Sequence, residues 1–214
     1  MRKMIEIKNY TKVIRGMTVL KNINLTLENG KIYGLWGKNG SGKTMLMRAI
    51  CGLILPSEGY VAIDGERLGG KNSFPKSVGA LIENPAFLDS KTGFKNLSLL
   101  AEIKGEATKD DVAKALEKVG LDPHDKRKYR KYSLGMKQRL GIAAAIMEDP
   151  EILLLDEPFN ALDPSGVEMA AEIIKEFKEK GATVVIACHD QDELDNLADE
   201  IVKTKRGEII GEEN

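Results

Sequence analysis

Lys31-Ile32-Tyr33-Gly34-Leu35-Trp36-Gly37-Lys38-Asn39-Gly40-Ser41-Gly42-Lys43-Thr44-Met45-Leu46-Met47-Arg48-Ala49-Ile50 is an apolar run, then a glycine-rich octet, then apolar residues at helical spacing. Lys31 to Trp36 predicts a strand, and Met45, Leu46, Ala49, Ile50 and Leu53 put one apolar face on a helix from Thr44 to Leu53 that stops near Pro56. Between them, Gly37 to Thr44 matches G-x-x-x-x-G-K-[ST], with the strand before it and the helix after it that the motif requires. Glycines let the backbone curl so that the N–H groups of Gly37, Asn39, Gly40, Ser41 and Gly42 converge on a phosphate at the helix N-terminus. Lys43 adds a positive charge for the β- and γ-phosphate oxygens, and Thr44 offers a hydroxyl to Mg²⁺. A plain glycine turn opening a helix is the alternative, and the full motif in its full context argues against it.

Working outward, strands are predicted at Met4 to Lys8, Leu20 to Leu27, Tyr60 to Ile63 and Val78 to Ile82. Helices are predicted at Thr92 to Lys104 and Thr108 to Val119, the second capped by Thr108 with Asp111 at its third position. This middle stretch is expected to be all helix. A helix from Ser133 to Met147, a strand from Ile152 to Leu155, a helix from Pro164 to Lys180, a strand from Thr183 to Ala187 and a helix starting near Asp190 follow. Ile201 to Lys203 and Glu208 to Ile210, on either side of Arg206-Gly207, predict a hairpin. Buried strands written as continuous apolar runs between helices specify a parallel α/β sheet.

At 214 residues, 42% hydrophobic and 30% charged, the chain has the composition of one folded α/β unit over 1–214 rather than of a disordered protein. A formal net charge of −1 exerts no general pull on nucleic acid or acidic lipid. Cys51 and Cys188 are far apart and suggest no disulfide framework, which fits a reducing cytosol. Residues 1–8 alternate polar and apolar side chains and lack the apolar core of a signal peptide. The longest apolar runs, Ile152 to Leu155 and Ala182 to Cys188, fall far short of the roughly 20 residues that cross a bilayer, so no membrane span is expected.

Ile152-Leu153-Leu154-Leu155-Asp156-Glu157 is an apolar strand ending in two acids. Beside a phosphate loop, Asp156 is expected to hold Mg²⁺ through its water shell. Glu157, turned the other way by strand alternation, is expected to polarise the attacking water. Alone, the pattern is equally that of a strand and an acidic turn before Pro158.

Tyr132-Ser133-Leu134-Gly135-Met136-Lys137-Gln138-Arg139 begins a helix with Ser at its cap and a glycine in the first turn. In its company, Y-S-L-G-M-K-Q resembles a degenerate LSGGQ signature of the ABC (ATP-binding cassette) ATPases. Asn160-Ala161-Leu162-Asp163 looks like the D-loop of that family, and His189 ends an apolar strand as its switch histidine does. The landmarks run in family order over nearly the whole chain. The resemblance implies a P-loop NTPase (RecA-like) core over 1–83 and 146–214, with an N-terminal antiparallel β portion and an inserted α-helical subdomain over 84–145. It implies ATP and Mg²⁺ as ligands, ATP hydrolysis, and two chains paired head to tail. In such a pair Ser133 and Gly135 of one chain meet the γ-phosphate on the other's loop, with Asp163 in the same composite site. His189 is then expected to contact the γ-phosphate and orient Glu157. It further implies an integral membrane permease as a separate partner and a position on the cytoplasmic face of the membrane; with every landmark present, a homodimer is favoured. A Cys188-His189 thiol protease dyad is set aside because strand neighbours point to opposite faces.

Two positions depart from the family pattern. Ala80-Leu81-Ile82-Glu83-Asn84-Pro85 puts Glu83 where most relatives carry the Q-loop glutamine, so Glu83 is expected to meet Mg²⁺ or its water and help position the nucleophile. Upstream, the register puts Ile14 where relatives stack an aromatic on the adenine, a loss on the order of 1 kcal/mol, while Tyr10 reads as core. Val78 to Leu97 looks most like subunits of bacterial exporters of peptide antibiotics and bacteriocins, including self-immunity systems. The basic run Lys126 to Tyr132 is open to three readings: a solvated loop, a contact for lipid headgroups or the permease, and a nucleic-acid patch. Net charge and the lack of any RNA or DNA module weigh against nucleic acid. The two histidines and two cysteines make no recognisable metal cluster, which leaves Mg²⁺ as the only metal expected. The rival classes are a soluble ABC ATPase acting on the ribosome or DNA, and a module that closes on ATP without turnover.

Overall fold

The computed structural model describes residues 4–70 and 72–210. The first three residues of the stretch read as lacking a signal peptide lie outside the described residues, as do 71 and 211–214. β1 (Met4–Ile14) and β2 (Met17–Glu28) form an antiparallel hairpin closed at Arg15-Gly16, where φ is 48° and 81°. Two successive positive φ values match the twist of the flanking strands, so both strands run on to the turn and are longer than the alternation alone predicts. β4 (Glu58–Ile63) adds to β1 and β5 (Glu66–Arg67) to β4, giving a four-stranded sheet of order β2-β1-β4-β5.

The second sheet holds β3 (Ile32–Trp36), β6 (Val78–Leu81), β7 (Ile152–Asp156), β8 (Thr183–Cys188), β9 (Glu200–Lys205) and β10 (Glu208–Ile210). Its order is β10-β9-β3-β8-β7-β6, parallel except for the β9–β10 hairpin. Every residue of β7 and β8 is buried, the mark of strands covered on both faces. Alternation divides them between two cores. Leu153, Leu155, Val184 and Ile186 face one side, while Ile152, Leu154, Val185 and Ala187 face the other, toward the first sheet and α1 (Lys43–Ile50).

The remaining helices are α2 (Gly93–Lys104), α3 (Lys109–Lys118), α4 (Leu134–Ile146), α5 (Pro164–Glu179) and α6 (Gln191–Asp195). Thr92, Thr108, Ser133 and Asp163 each accept a bond from a first-turn amide, and Thr108 and Asp111 close a reciprocal capping box. Each such cap contributes about 1 kcal/mol. The two helices expected between Thr92 and Val119 are present; beyond them 119–128 is irregular and a 3₁₀ turn occupies Tyr129–Lys131. Tyr129 and Tyr132 turn inward there, and Tyr129 donates its hydroxyl to the Pro85 carbonyl at 2.7 Å. With its tyrosines buried, the basic run offers no stacking platform for bases. Leu97, Val112 and Leu140 share one core with Leu153 and Ile186: α4 packs on β6 and β7 of the parallel sheet, and α2 and α3 pack on α4. No helix among the described residues is long and apolar enough to cross a membrane.

Candidate functional site

Because β3, β6, β7 and β8 are parallel, the residues that follow them emerge at one edge of the sheet, where open α/β sheets bind ligands. The loop after β3 enters α1 through Gly42 at φ 111°, a conformation that disfavours any side chain. At Gly37 the constraint is space: a Cβ would lie 2.4 Å from the Thr204 carbonyl of β9. A cavity of about 620 Å³ opens against this loop. Asn39, Gly40, Ser41, Gly42, Lys43 and Thr44 form one wall, and Asp156 and Glu157 its acidic floor.

Lys43 is buried and donates its ammonium to the Gly37 carbonyl, with Glu157 Oε1 4.0 Å away. Thr44 Oγ1 donates to Asp156 Oδ2 at 2.7 Å. Burial pushes the Asp156 carboxyl above its ordinary range, against the opposing pull of the Thr44 bond, the Lys43 charge and the Glu83 backbone amide. A hydroxyl and a desolvated carboxylate side by side are a hard-oxygen pair suited to Mg²⁺, which favours oxygen ligands and the charged acid. His189 Nδ1 lies 2.8 Å from Glu157 Oε2, so the two carboxylate oxygens of Glu157 are held between a lysine and a histidine.

Strand alternation misled at both strand ends. Glu157 was expected to face away from Asp156, yet both line the cavity, because β7 ends at Asp156 and Glu157 turns to φ 49°. Likewise β8 ends at Cys188, and His189 turns back, so that ligand atoms of Glu157, Cys188 and His189 lie within 4.8 Å of one another. Among the described residues, Cys188 and His189 are the cysteine and histidine that come together, beside Glu157. The protease dyad stays excluded, since burial and then the bond to Glu193 push the Cys188 thiol up to about 12.

Glu83 is a further correction. Its carboxylate is not in the cavity but on Arg48 of α1, at 2.8 Å, and its backbone, at φ 62°, instead directs its amide to Asp156. Ile14 does not line the cavity either. The Arg15-Gly16 turn pairs it with Met17, and Met17, Thr18 and Val19 form the apolar wall. Tyr10 is fully buried, as core. Ser133, Gly135 and Asp163 lie outside the chain's own cavity. Ser133 caps α4; a Cβ on Gly135 would lie 2.8 Å from the Ala161 carbonyl; Asp163 caps α5 and accepts from Arg139 at 3.0 Å.

Three residues were missed. Gln138 is buried in α4, and its Nε2 donates to the Glu157 and Pro158 carbonyls at 2.9 and 3.0 Å. A polar residue on the face carrying Ile142 and Ala145 was a legible signal. Arg139 joins the Val119 carbonyl to Asp163, and Arg206 lines the cavity from the β9–β10 turn. No local pattern marks Arg206, because only the sheet order brings that turn beside the loop.

Fold and cavity together define a P-loop nucleotide hydrolase. The chain matches the ABC transporter family over residues 20–160. An uncharacterized ABC transporter ATP-binding protein, YybJ of Bacillus subtilis (strain 168), is 48% identical over 96% of this chain and 94% of its own. The bacitracin transport ATP-binding protein BcrA of Enterococcus faecalis is 43% identical over 100% and 70%, respectively. The dimeric structure of MJ0796, described as a bacterial ABC transporter cassette, superposes with a TM-score of 0.87 at 27% identity, covering 97% of both chains. The chain belongs to the ABC transporter family, as an ATP-binding and ATP-hydrolysing subunit.

Proposed function

We propose that two copies of this chain close head to tail on two ATP with Mg²⁺ and so drive a membrane-embedded permease that exports peptide antibiotics or related antimicrobial peptides. The observation that carries the pairing is the start of α4. Its Ser133 and Gly135 contribute nothing to the chain's own cavity, while Leu134 between them is 73% exposed, so this helix N-terminus is open to a second molecule. The positive end of a helix suits the γ-phosphate of a neighbour's ATP. The dimeric MJ0796 cassette supports the pairing, and the bacitracin and lantibiotic transport relatives support the cargo. Leu88, Leu100 and Ile103 leave apolar side chains exposed within 84–145, which supports that stretch as the moving, permease-contacting part on the cytoplasmic face.

In this reading the loop amides cradle the phosphates, and Lys43 exchanges the Gly37 carbonyl for phosphate oxygens. Glu157 takes the proton of the attacking water, and His189 holds the carboxylate in place. Thr44 and Asp156 would hold Mg²⁺, which when bound neutralises charge on the β- and γ-phosphoryl oxygens. General-base action contributes roughly 10²- to 10⁴-fold. Glu157→Gln should therefore bind ATP, stay paired and lose about that factor in turnover; unchanged hydrolysis removes Glu157 from its role. The partner is tested by capturing the protein from detergent-solubilised membranes. A stoichiometric polytopic membrane protein without its own ATPase is expected, whereas recovery only with ribosomes or DNA-bound proteins overturns the transport reading.

A further inference from the structure

We propose that Glu157, Cys188 and His189, with Glu193 bonded behind the Cys188 thiol, form a site for a thiophilic divalent cation of the Zn²⁺ type, whose occupation withdraws Glu157 and His189 from catalysis. Three elements converge to make it: the end of β7, the end of β8 and the short helix α6. The first three ligand atoms lie within 4.8 Å of one another, and Cys188 Sγ donates to Glu193 Oε2 at 2.9 Å. A tetrahedral shell of roughly 2.0–2.3 Å radius spaces its ligand atoms about 3.3–3.8 Å apart, so the cluster closes on an ion by contracting about 1 Å. His189 has the freedom to do this, since its side chain is 57% exposed, and that exposure also gives the ion its entry path.

Donor chemistry separates this site from the Mg²⁺ position. Thr44 and Asp156 offer only hard oxygens, whereas a thiolate and an imidazole beside carboxylates select Zn²⁺ over Mg²⁺. Binding replaces the thiol proton by the ion: the S–H bond breaks, a sulfur–metal bond forms, and the proton leaves to solvent, with no change of oxidation state. Once one of its oxygens coordinates the ion, the Glu157 carboxylate is less basic toward the attacking water, and His189 Nδ1 no longer holds it in place. ATP binding continues, because Lys43 and the loop amides take no part in the cluster. The inhibition rests on the catalytic reading of Glu157; the binding does not.

The test uses Co²⁺ as a spectroscopic probe on the nucleotide-free protein, followed by Zn²⁺ in turnover assays at excess Mg²⁺ and ATP. The proposal expects a thiolate-to-cobalt charge-transfer band saturating at one ion per chain, displaced by Zn²⁺. It expects the band to survive Cys51→Ser and vanish in Cys188→Ser. Glu193→Gln, which keeps the side-chain shape, weakens Co²⁺ binding by roughly 10-fold or more and serves should Cys188→Ser fail to fold. Zn²⁺ lowers wild-type turnover by at least about 10-fold, and Cys188→Ser relieves this at unchanged basal rate. A wild type without the band, or a band of equal strength in Cys188→Ser, overturns the site. A band lost in Cys188→Ser together with Zn²⁺-insensitive turnover keeps the site and overturns the inhibition, and Glu157→Gln turnover then tells whether the catalytic reading has failed with it.

Discussion

Replacing Gln138 by Ala tests how the catalytic acid is held. Glu157 occupies φ 49°, a left-handed conformation that costs a non-glycine residue about 1–3 kcal/mol and persists only where the surroundings enforce it. Gln138 contributes to that enforcement, since its one amide group donates to the consecutive Glu157 and Pro158 carbonyls. Truncation leaves the buried Pro158 carbonyl without this donor, while the Glu157 carbonyl keeps a longer bond from the Asn160 amide at 3.3 Å. At about 1–3 kcal/mol for an orphaned acceptor and less for a weakened one, the variant should lose about 2–3 kcal/mol. For a chain of this length that lowers Tm by roughly 4–12 °C. Relaxation of φ swings the Glu157 carboxylate away from His189, and misplacement on the order of 1 Å costs up to about 100-fold in rate. ATP affinity should hold, because Lys43 and the loop amides are untouched. Thermal unfolding, nucleotide titration and steady-state phosphate release on one preparation measure all three. A Tm drop below about 2 °C with turnover within about twofold of wild type would show that Gln138 does not hold Glu157 in place.

Other outcomes follow from the cavity and the charges around it. Met17→Tyr should tighten ATP binding by roughly 2- to 10-fold through stacking, whereas Ile14→Tyr should not; equal gains would return Ile14 to the base site. Arg48→Ala should leave stability within about 1 kcal/mol, because the pair with Glu83 is solvent-exposed, and should free the Glu83 carboxylate to lower the Mg²⁺ concentration needed for half-maximal turnover. An unaltered Mg²⁺ requirement would count against that placement of Glu83. Bonds from Thr108, Arg127 and Ser165 with Arg139 hold Asp111, Asp125 and Asp163, respectively, below the usual carboxylate range. Their stabilisation is therefore complete above the ordinary carboxylate pKa near ~4 and is lost as pH falls through the lower folded-state values. Thermal midpoints should stay level from about pH 7 to 5 and drop below about pH 4, and a level profile down to about pH 3 would contradict this.

Most of what was legible in the sequence was local. The octet Gly37 to Thr44, the caps at Thr108 and Ser133, and the apolar runs of β7 and β8 each express a rule that operates within a few consecutive residues: a positive φ, an orphan amide, a strand buried on both faces. From these came the α/β class, the phosphate loop and the paired acids, and the signature-like stretch Tyr132 to Gln138, Asn160 to Asp163 and His189 added the resemblance to ABC ATPases. Side-chain direction was legible only inside a strand. It failed one residue beyond, at Glu157 and His189, because alternation is a property of extended backbone and both residues have left it.

The remaining decisions belong to contacts between segments distant in sequence. Arg48 on α1 draws the Glu83 carboxylate out of the cavity; the two-residue turn at Arg15-Gly16 sets Met17 rather than Ile14 against it; sheet order brings Arg206 beside the loop. Gln138 reaches the peptide after Glu157 from a helix that begins more than twenty residues before it. Such choices turn on which partner a long polar side chain meets once β3, β7 and β8 have stacked in parallel, and the stacking is driven by apolar burial in which those polar groups take no part. Local pattern is therefore enough for the fold class and the chemistry of the loop, whereas which carboxylates face the nucleotide cavity, and what holds them there, is set by packing between distant segments.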